Sequence, residues 1–346
     1  MKRILSLVAL ATLVTLTVGA RSWRVNNNAA RAPHFADINA AVASADVQDG
    51  DTLYLDPDCS LSATQTVTKT LTIIGPGYFL SGLPYTAATL SGTLILKAQN
   101  CKVEGLELAA VSIQADNVTI ERCKATGISW KSGVSGKNAI IRQCYVLGRI
   151  SGLGETNANS ASCTIENCKV ANSATDNWGC IASLYNATIR NNYLNRTANI
   201  SSSYSNSERD AAIYYCQGSN ITNNVIFNTK YKDRVFYGTD NTTIKNNVCS
   251  SAENASYAEN VYLSSTDLTA VFTCAGGNDL QFQLRDDSPA KGYATDGGDC
   301  GPYGGLFPYV PSGHPAGMPY YVTTNTPTHS TNGQVKITQH VKLQTR

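Results

Sequence analysis

Charged residues are scarce in this chain of 346 residues, since lysine, arginine, aspartate and glutamate together make up 15% of it. The formal net charge is +2, which is close to neutral. A nucleic-acid-binding protein usually carries a strongly basic surface, so this composition argues against nucleic acid as a partner. An acidic polysaccharide could still bind through local groups of basic residues.

Histidine is also scarce, and no two cysteines form a CxxC pair, so we expect no structural zinc site. The four histidines lie outside the repeats described below, at 34, 314, 329 and 340, which excludes a histidine base carried by those repeats. The eleven cysteines leave at least one unpaired in a monomer. Cys274 and Cys300 are the first pair to test for a disulfide.

Long hydrophobic runs are absent beyond the first twenty residues. Those twenty are typical of a signal peptide, with Lys2 and Arg3 before an apolar run over 4–14 and small residues at 18–20. An uncleaved membrane anchor is the alternative, but threonines interrupt the run and it is short for a span. No cysteine follows it, which argues against a lipoprotein anchor. We therefore predict a signal peptide over 1–20 and a secreted, periplasmic or cell-surface location.

A short motif recurs through the middle of the chain, most plainly as NATIRNN at residues 186–192. Related segments occur at 117–123, 138–144, 163–168, 220–224 and 241–247. Their central isoleucines follow one another at intervals of 21 to 32 residues, at 120, 141, 165, 189, 221 and 244. A period in this range is typical of a stacked array. Each unit is a short β-branched strand with an asparagine-rich turn, which predicts a β-solenoid.

The position three residues after each isoleucine supports the same register. It is occupied by Cys123, Cys144, Cys168, Asn192, Asn224 and Asn247. Small cysteines can fill an interior column, and asparagines can bond from one coil to the next. The column explains three cysteines without oxidation. No helical periodicity is present, and a β-sandwich is the remaining alternative.

These segments resemble the right-handed parallel β-helix proteins of the pectate-lyase-like superfamily over residues 35–305. The opening motifs are GDTLYL at 50–55 and TKTLTIIGPG at 68–77. The closing motifs, SPAKG at 288–292 and DGGDCGPYGG at 296–305, resemble the secreted Bacteroidetes type. The resemblance is specific for fold and weak for activity, because this fold carries lyases, hydrolases, esterases and non-catalytic adhesins. The sequence motifs of polygalacturonases and of pectate lyases are not recognisable.

The predicted architecture is all-β, a right-handed parallel β-helix with a capping helix and a small annex. Residues 21–34 are expected to be a flexible N-terminal segment. The β-helix covers 35–305, and its capping helix over 37–45 begins with Asp37 as N-cap and shows one apolar face. The C-terminal segment 306–346 reads as a β annex that packs back on the solenoid or covers its last coil, with a hairpin signal at 332–333.

Two further features of the coils concern charge and length. The residues after four of the isoleucines alternate in sign, as Glu121, Arg142, Glu166 and Arg190. We interpret them as a solvated ladder of weak surface pairs. The long interval between Ile189 and Ile221 predicts a protruding loop over 198–207, and loops on rigid scaffolds commonly carry function.

The repeat register predicts a candidate site beside this loop. Counting back from the isoleucines places one outward-facing strip on adjacent coils, formed by Trp178, Asp210, Tyr214, Asp233 and Tyr237 and edged by Arg209, Lys232 and Arg234. Stacked aspartates repel each other and need a cation, a basic neighbour or a shared proton. In the alternative interpretation, both aspartates only pair with the neighbouring basic residues.

We assign the predicted roles as follows. The catalytic candidates are Asp210, Asp233, Lys232 and Arg209, because paired carboxylates serve glycoside hydrolysis and a basic residue could abstract the proton beside a uronate carboxylate. The substrate-binding candidates are Trp178, Tyr214, Tyr237 and Arg234. A calcium ion is the cofactor that Asp210 and Asp233 could hold.

The sequence thus predicts an exported β-helix protein, expected to be a monomer, that binds or degrades complex polysaccharide, including uronate-containing polymers. If it is an enzyme, it is a polysaccharide lyase or a glycoside hydrolase. A non-catalytic surface, adhesin-like or structural β-helix protein is the alternative.

Overall fold

The computed structural model is a nearly all-β solenoid of stacked parallel strands. It describes residues 19–80, 83, 85–153, 158–173, 179–197, 211–228, 235–250, 257–264, 267–325 and 338–344. Strands are numbered in chain order. Sheet A stacks ten strands in parallel over that part of the chain: β1 (Ser22–Val25), β2 (Thr52–Leu55), β5 (Thr72–Ile74), β7 (Lys102–Glu104), β9 (Thr119–Glu121), β11 (Ile140–Arg142), β14 (Thr164–Glu166), β17 (Thr188–Arg190), β20 (Asn220–Thr222) and β23 (Thr243–Lys245).

Sheet B forms the remaining faces of the solenoid. Its fifteen strands in the same described ranges are β3 (Ser60–Leu61), β4 (Gln65–Val67), β6 (Thr89–Leu96), β8 (Glu107–Ile113), β10 (Lys124–Trp130), β12 (Tyr145–Val146), β13 (Ile150–Ser151), β15 (Lys169–Asn172), β16 (Ile181–Ala182), β18 (Tyr193–Arg196), β19 (Ile213–Tyr214), β21 (Val225–Asn228), β22 (Phe236–Tyr237), β24 (Val248–Cys249) and β25 (Val261–Tyr262). A separate antiparallel hairpin pairs β26 (Pro319–Asn325) with β27 (Thr338–Leu343). The helical elements are α1 (Ile38–Ala43) and short 3-10 turns at Ala29–Arg31, Ala158–Ser160, Leu268–Ala270, Leu280–Phe282 and Pro311–Gly313.

The central apolar residues of sheet A form the predicted ladder. Ile120 pairs in register with Ile141, and the same pairing continues through Ile165, Ile189, Ile221 and Ile244. All six are buried, with at most 6% of the residue exposed. The predicted register is confirmed. The parallel order excludes the β-sandwich alternative, because sandwiches are built from antiparallel sheets.

The second predicted column is linked by hydrogen bonds from Cys144 onward. The side-chain oxygen of Asn224 accepts from the backbone N–H of Asn192 at 2.9 Å, and that of Asn247 accepts from Asn224 in the same way at 3.0 Å. In the lower coils Cys168 Sγ accepts from the Cys144 backbone at 3.5 Å. Asn260 extends the column by one coil, with its Oδ1 2.9 Å from the Asn247 nitrogen.

Two left-handed turns explain the sequence of the repeat. One lies three residues before each central isoleucine, where Asn117, Asn138 and Asn186 have φ between 51° and 59°. The other lies two residues after it, where Asn167 and Asn191 have φ of 53° and 52°. Asparagine tolerates this conformation better than most residues. The asparagines therefore turn the chain sharply on both sides of a three-residue strand.

Replacing Asn224 with alanine is expected to lower the free energy of unfolding by about 2 kcal/mol or more, because buried groups of Asn192 and Asn247 lose their partner. Asn224→Cys should cost less, because a cysteine sulfur already accepts a backbone N–H at the same position of a lower coil. Urea unfolding of the two variants checks this. Equal losses would contradict the role given to the acceptor atom.

The N-terminal end confirms one prediction and corrects another. Helix α1 begins after Asp37, whose Oδ1 accepts from the Ala40 nitrogen at 2.7 Å, and it buries Ile38 and Ala41 against the solenoid. The predicted capping helix is therefore present. The segment expected to be flexible instead contains β1, which pairs in parallel with β2 and adds a strand to sheet A. The sequence around it is polar, so its backbone pairing could not be recognised.

The C-terminal region packs back along the solenoid. This is one of the two arrangements predicted from the sequence, and the other was a cover over the last coil. Residues 293–316, which we call the strap, run from the last coils to the first. Side chains of the second turn position hold the backbone of the strap: Asn246 to Tyr293 O at 2.9 Å, Asn191 to Asp299 O at 3.2 Å, Asn167 to Pro302 O at 2.9 Å and Gln143 to Pro308 O at 2.6 Å. The strap crosses residues 305 and 306, between which the sequence predicted the boundary of the β-helix and the C-terminal annex.

The strap also closes a second hydrophobic cluster over the outer face of sheet B. Tyr193 lies there against Phe272 and Phe282, with ring centroids 5.0 Å and 4.7 Å away. Gly313 meets the solenoid most closely, since a Cβ at this residue would lie 2.4 Å from the Arg122 carbonyl oxygen, and its φ is 60°. Only glycine fits this position without displacing the backbone.

All eleven cysteines are described, and none forms a disulfide. Cys274 is exposed, whereas Cys300 is buried with its thiol directed at the Asn246 carbonyl oxygen, 3.2 Å away. The pair suggested for a disulfide is therefore not joined in this structure. The three cysteines of the interior column are buried and are not joined in disulfides, so their placement needs no oxidation, as the sequence predicts.

Candidate functional site

Most of the strip predicted from the sequence lies outside the described residues. This applies to Trp178, Arg209, Asp210, Lys232, Asp233 and Arg234. Their catalytic, binding and calcium-holding roles therefore stay predictions. The predicted loop over 198–207 lies outside the described residues as well.

Tyr214 and Tyr237, the two described members of the strip, are neighbours in the structure. They are register partners on β19 and β22, and their rings stack with centroids 6.0 Å apart and planes 10° apart. Ile213 and Phe236, the residues before them, are buried as expected for alternating side chains. Tyr214 itself is only 6% exposed, so little of its ring can meet a ligand. The role of the pair in substrate binding stays a prediction.

The outer face of sheet A, beside the strap, forms a long groove. Two clefts of about 490 and 870 Å³ lie between the strap and this face, and both are lined by Gly305 and Leu306. We define the groove as the outer face of the seven strands from β7 to β23 together with the adjacent edge of the strap. Six strand spacings correspond to a length of about 29 Å.

Glutamates form the floor of this groove and are buried. Glu104, Glu121 and Glu166 are 2%, 4% and 4% exposed. Arg142 lies 3.1 Å from Glu121, and Arg190 lies 2.7 Å from Glu166. The alternating ion pairs are therefore present. The prediction that they form a solvated ladder is wrong for the glutamates, because these are buried. Arginine side chains and the strap, which is remote in sequence, cover them.

An ion-pair network at the lower end of the groove was missed by the sequence analysis. The Arg122 side chain is 4% exposed and donates to Glu104 Oε1 and Gln143 Oε1, both at 2.9 Å. Glu104 also pairs with Lys102 at 2.7 Å and accepts from the Ala316 backbone at 2.9 Å. The network therefore links the floor of the groove to the strap. A signal existed in the sequence, because Arg122 stands where the other repeats have asparagine or glutamine.

The basic side chains form the accessible surface of the groove. The side chains of Lys102, Arg142 and Arg190 are 35%, 23% and 39% exposed, and Lys245 is partly exposed. Burial works to lower the pKa of Lys102, but hydrogen bonds and charges of Glu104 and Glu121 outweigh it and raise that pKa. A ligand therefore meets these positive charges above the buried glutamates, and the exposed carboxylate of Asp296 on the strap also lines the upper cleft.

Two apolar side chains of the strap project beside these cations. Leu306 is 80% exposed, and the ring of Phe307 lies 4.4 Å from the guanidinium carbon of Arg142. Neutral polar residues fill much of the upper half, namely Thr188, Asn220, Thr222 and Thr243. The groove can thus offer charge, hydrogen bonds and apolar contact along one line.

Lys169 is a second group with unusual electrostatics, but it is not accessible. Burial lowers its pKa to about 8, and its ammonium lies 3.7 Å from the ring centre of Tyr145 and 4.5 Å from that of Phe282. Burial also raises the pKa of the nearby Asp279, which accepts from Tyr309 at 3.0 Å. Only 7% of Lys169 is exposed beneath the aromatic cover. We therefore assign it to packing of the closing segment.

The described part of the chain contains neither the pattern of a metal-ligand cluster nor that of a membrane-spanning helix. No group of three or more histidine, cysteine, aspartate or glutamate residues there is placed to hold a metal ion. No helix in the described ranges is both long and apolar enough to cross a membrane. The predicted calcium site and signal peptide fall on other residues and stay predictions.

The sequence matches the family model of the right handed beta helix region over residues 87–260, which is half of the chain. The chain belongs to this family, and the predicted right-handed parallel β-helix is confirmed. The match covers the coils that carry the isoleucine ladder and most of the groove. No curated protein is similar enough in sequence to count as a relative.

Two solved structures share the general architecture at low similarity. One is an alginate lyase from Paenibacillus sp. str. FPU-7, 13% identical over 71% of this chain and 97% of that chain, with a TM-score of 0.36. The other is the tailspike protein gp49 of Acinetobacter baumannii bacteriophage Fri1, a capsular polysaccharide depolymerase. It is 11% identical over 68% of this chain and 58% of that chain, with a TM-score of 0.30. Likeness this distant carries no argument about what this chain binds or cleaves.

Proposed function

We propose that this protein binds an acidic polysaccharide along the groove of sheet A. The observation that supports it is the row of accessible cations, Lys102, Arg142, Arg190 and Lys245, above buried glutamates. Charge-assisted hydrogen bonds from guanidinium groups to carboxylates are among the strongest in proteins. The compartment proposed for this binding is the cell surface or the space outside the cytoplasm.

The shape of the groove favours a linear polymer over a small ligand. Its length of about 29 Å would accommodate several sugars in a row, and its two clefts are open rather than enclosed. The neutral side chains between the cations, such as Thr188 and Asn220, offer hydrogen bonds to hydroxyl groups. Leu306, at the place where the clefts meet, offers an apolar contact to a sugar ring.

Replacing Arg190 and Lys245 together with glutamine is expected to weaken binding of a uronate polysaccharide about tenfold or more, because each cation loses a charge-assisted contact. Affinity electrophoresis in gels that contain polygalacturonate or hyaluronan measures this. Lys97→Gln with Lys131→Gln is the matched control, since these exposed lysines lie outside the groove and the net charge changes equally.

A third variant separates the groove from the strip predicted on sheet B. Asp210→Asn with Asp233→Asn should leave binding unchanged if the groove holds the polymer. Loss of binding in this variant alone would overturn the groove and favour the strip beside the stacked tyrosines. Release of unsaturated sugars from the same polymers would identify a lyase, and new reducing ends without unsaturation would identify a hydrolase. A protein that binds without either product fits the adhesin-like alternative.

A further inference from the structure

Three accessible cations of the groove recur on every second strand of sheet A. Arg142 on β11, Arg190 on β17 and Lys245 on β23 are each the third residue of their strand. One strand separates each of them from the next, namely β14 and β20, whose third residues are Glu166 and Thr222 and contribute no accessible cation to the groove. Lys102 does not belong to this series, because it is the first residue of β7 and its ammonium lies 3.3 Å from the same oxygen of Glu121 that Arg142 contacts at 3.1 Å.

We infer that the bound polysaccharide carries an acidic group on every second sugar. Parallel strands lie roughly 4.8 Å apart, so cations on alternate strands repeat at roughly 10 Å. In an extended linear polysaccharide each sugar ring advances the chain by about the length of one strand spacing. A disaccharide repeat with one acid would therefore place successive acids over successive cations.

The strands between the cations argue against a polymer with an acid on each sugar. Such a polymer would bring every second carboxylate over β14 or β20. Glu166 on β14 is already paired with Arg190, and Thr222 on β20 carries no charge. A carboxylate placed there would lose water without gaining an opposite charge, which costs binding energy. Exposed Asn220 on β20 suits a neutral sugar instead, because an amide can bond hydroxyl or acetamido groups.

This inference rests on the proposed function. Binding measurements with three polymers of matched length distinguish a failure of the inference from a failure of the proposed function. Hyaluronan has a carboxylate on every second sugar, polygalacturonate has one on each sugar, and dextran has none. We expect hyaluronan to bind about tenfold more tightly than polygalacturonate at physiological salt, with dextran weakest. Equal or tighter binding of polygalacturonate would overturn the inference and leave the proposed function intact. Binding of none of the three would overturn both, and equal binding of single-stranded DNA would indicate a general polyanion site instead.

A relocated charge tests the spacing directly. Asn220→Lys adds a cation on β20, the strand that lies between those of Arg190 and Lys245, and should improve binding of polygalacturonate severalfold more than binding of hyaluronan. Thr243→Lys is the control, because it adds the same charge on β23, which already carries Lys245. A similar gain for both polymers in both variants would show that total charge matters and spacing does not.

Discussion

Replacing Ile189 with alanine will lower the free energy of unfolding by about 2–5 kcal/mol. Ile189 is fully buried in the middle of the ladder, between Ile165 and Ile221 on the neighbouring strands. The lost methyl groups leave a cavity that these neighbours cannot close, because backbone hydrogen bonds on both sides fix their strands. Urea unfolding followed by circular dichroism measures the change.

Thr188→Ala is the matched control for this prediction. Thr188 precedes Ile189 on the same strand, lies on the opposite face and is partly exposed, so its replacement should change stability by about 0.5 kcal/mol or less. A loss below about 1 kcal/mol for Ile189→Ala would show that the stacked coils relax into the cavity. It would also contradict a rigid, close-packed ladder as the main source of stability.

The repeat could be predicted from the sequence because each coil contributes the same local pattern. Ile165 and Ile189 occupy equivalent positions on neighbouring coils. Asn224 continues the second column, to which Cys168 also belongs. Stacking then converts a pattern along the chain into a pattern in space. The capping helix was also predictable, because Asp37 and the apolar face are local signals.

The strap and the groove could not be predicted in the same way. Glu121 and Glu166 are buried because residues that follow them by more than a hundred positions pack beside them. The repeat register gives the direction of a side chain from the strand but does not reveal what covers it. A solvated ladder was therefore the natural expectation, and the two glutamates depart from it.

The candidate site predicted from the sequence fell on another face for a related reason. The long interval before Ile221 drew attention to Asp210, while Arg142 and Arg190 were read only as partners of glutamates. Their exposure and alternate-strand spacing become visible only once the order of the strands is known. A charged column therefore needs the strand order before its function can be judged.

The buried ion pair between Arg122 and Glu104 leads to the second large effect. Arg122→Met keeps most of the side-chain volume and removes the charge, and we expect it to lower the free energy of unfolding by about 3–5 kcal/mol. The reason is that Glu104 stays buried with fewer partners, and Gln143 loses its donor. Arg285→Met is the control, because its pair with Asp287 is exposed and should contribute less than about 1 kcal/mol.

The same variant should become more sensitive to acid. Burial works to raise the pKa of Glu121, but the charges of Lys102, Arg142 and Arg122 outweigh it and lower that pKa. The unfolded chain then binds more protons than the folded one, so this stabilisation is present above the unfolded pKa of about 4.3 and is lost as the pH falls through the folded value. Without Arg122 the folded pKa moves back toward the unfolded one. Less stabilisation then remains near neutral pH, and acid unfolding followed by tryptophan fluorescence should begin at a higher pH than in the native chain. An unchanged acid transition, together with a stability loss below about 1 kcal/mol, would show that Lys102, Arg142 and the Ala316 backbone satisfy the buried glutamates without Arg122.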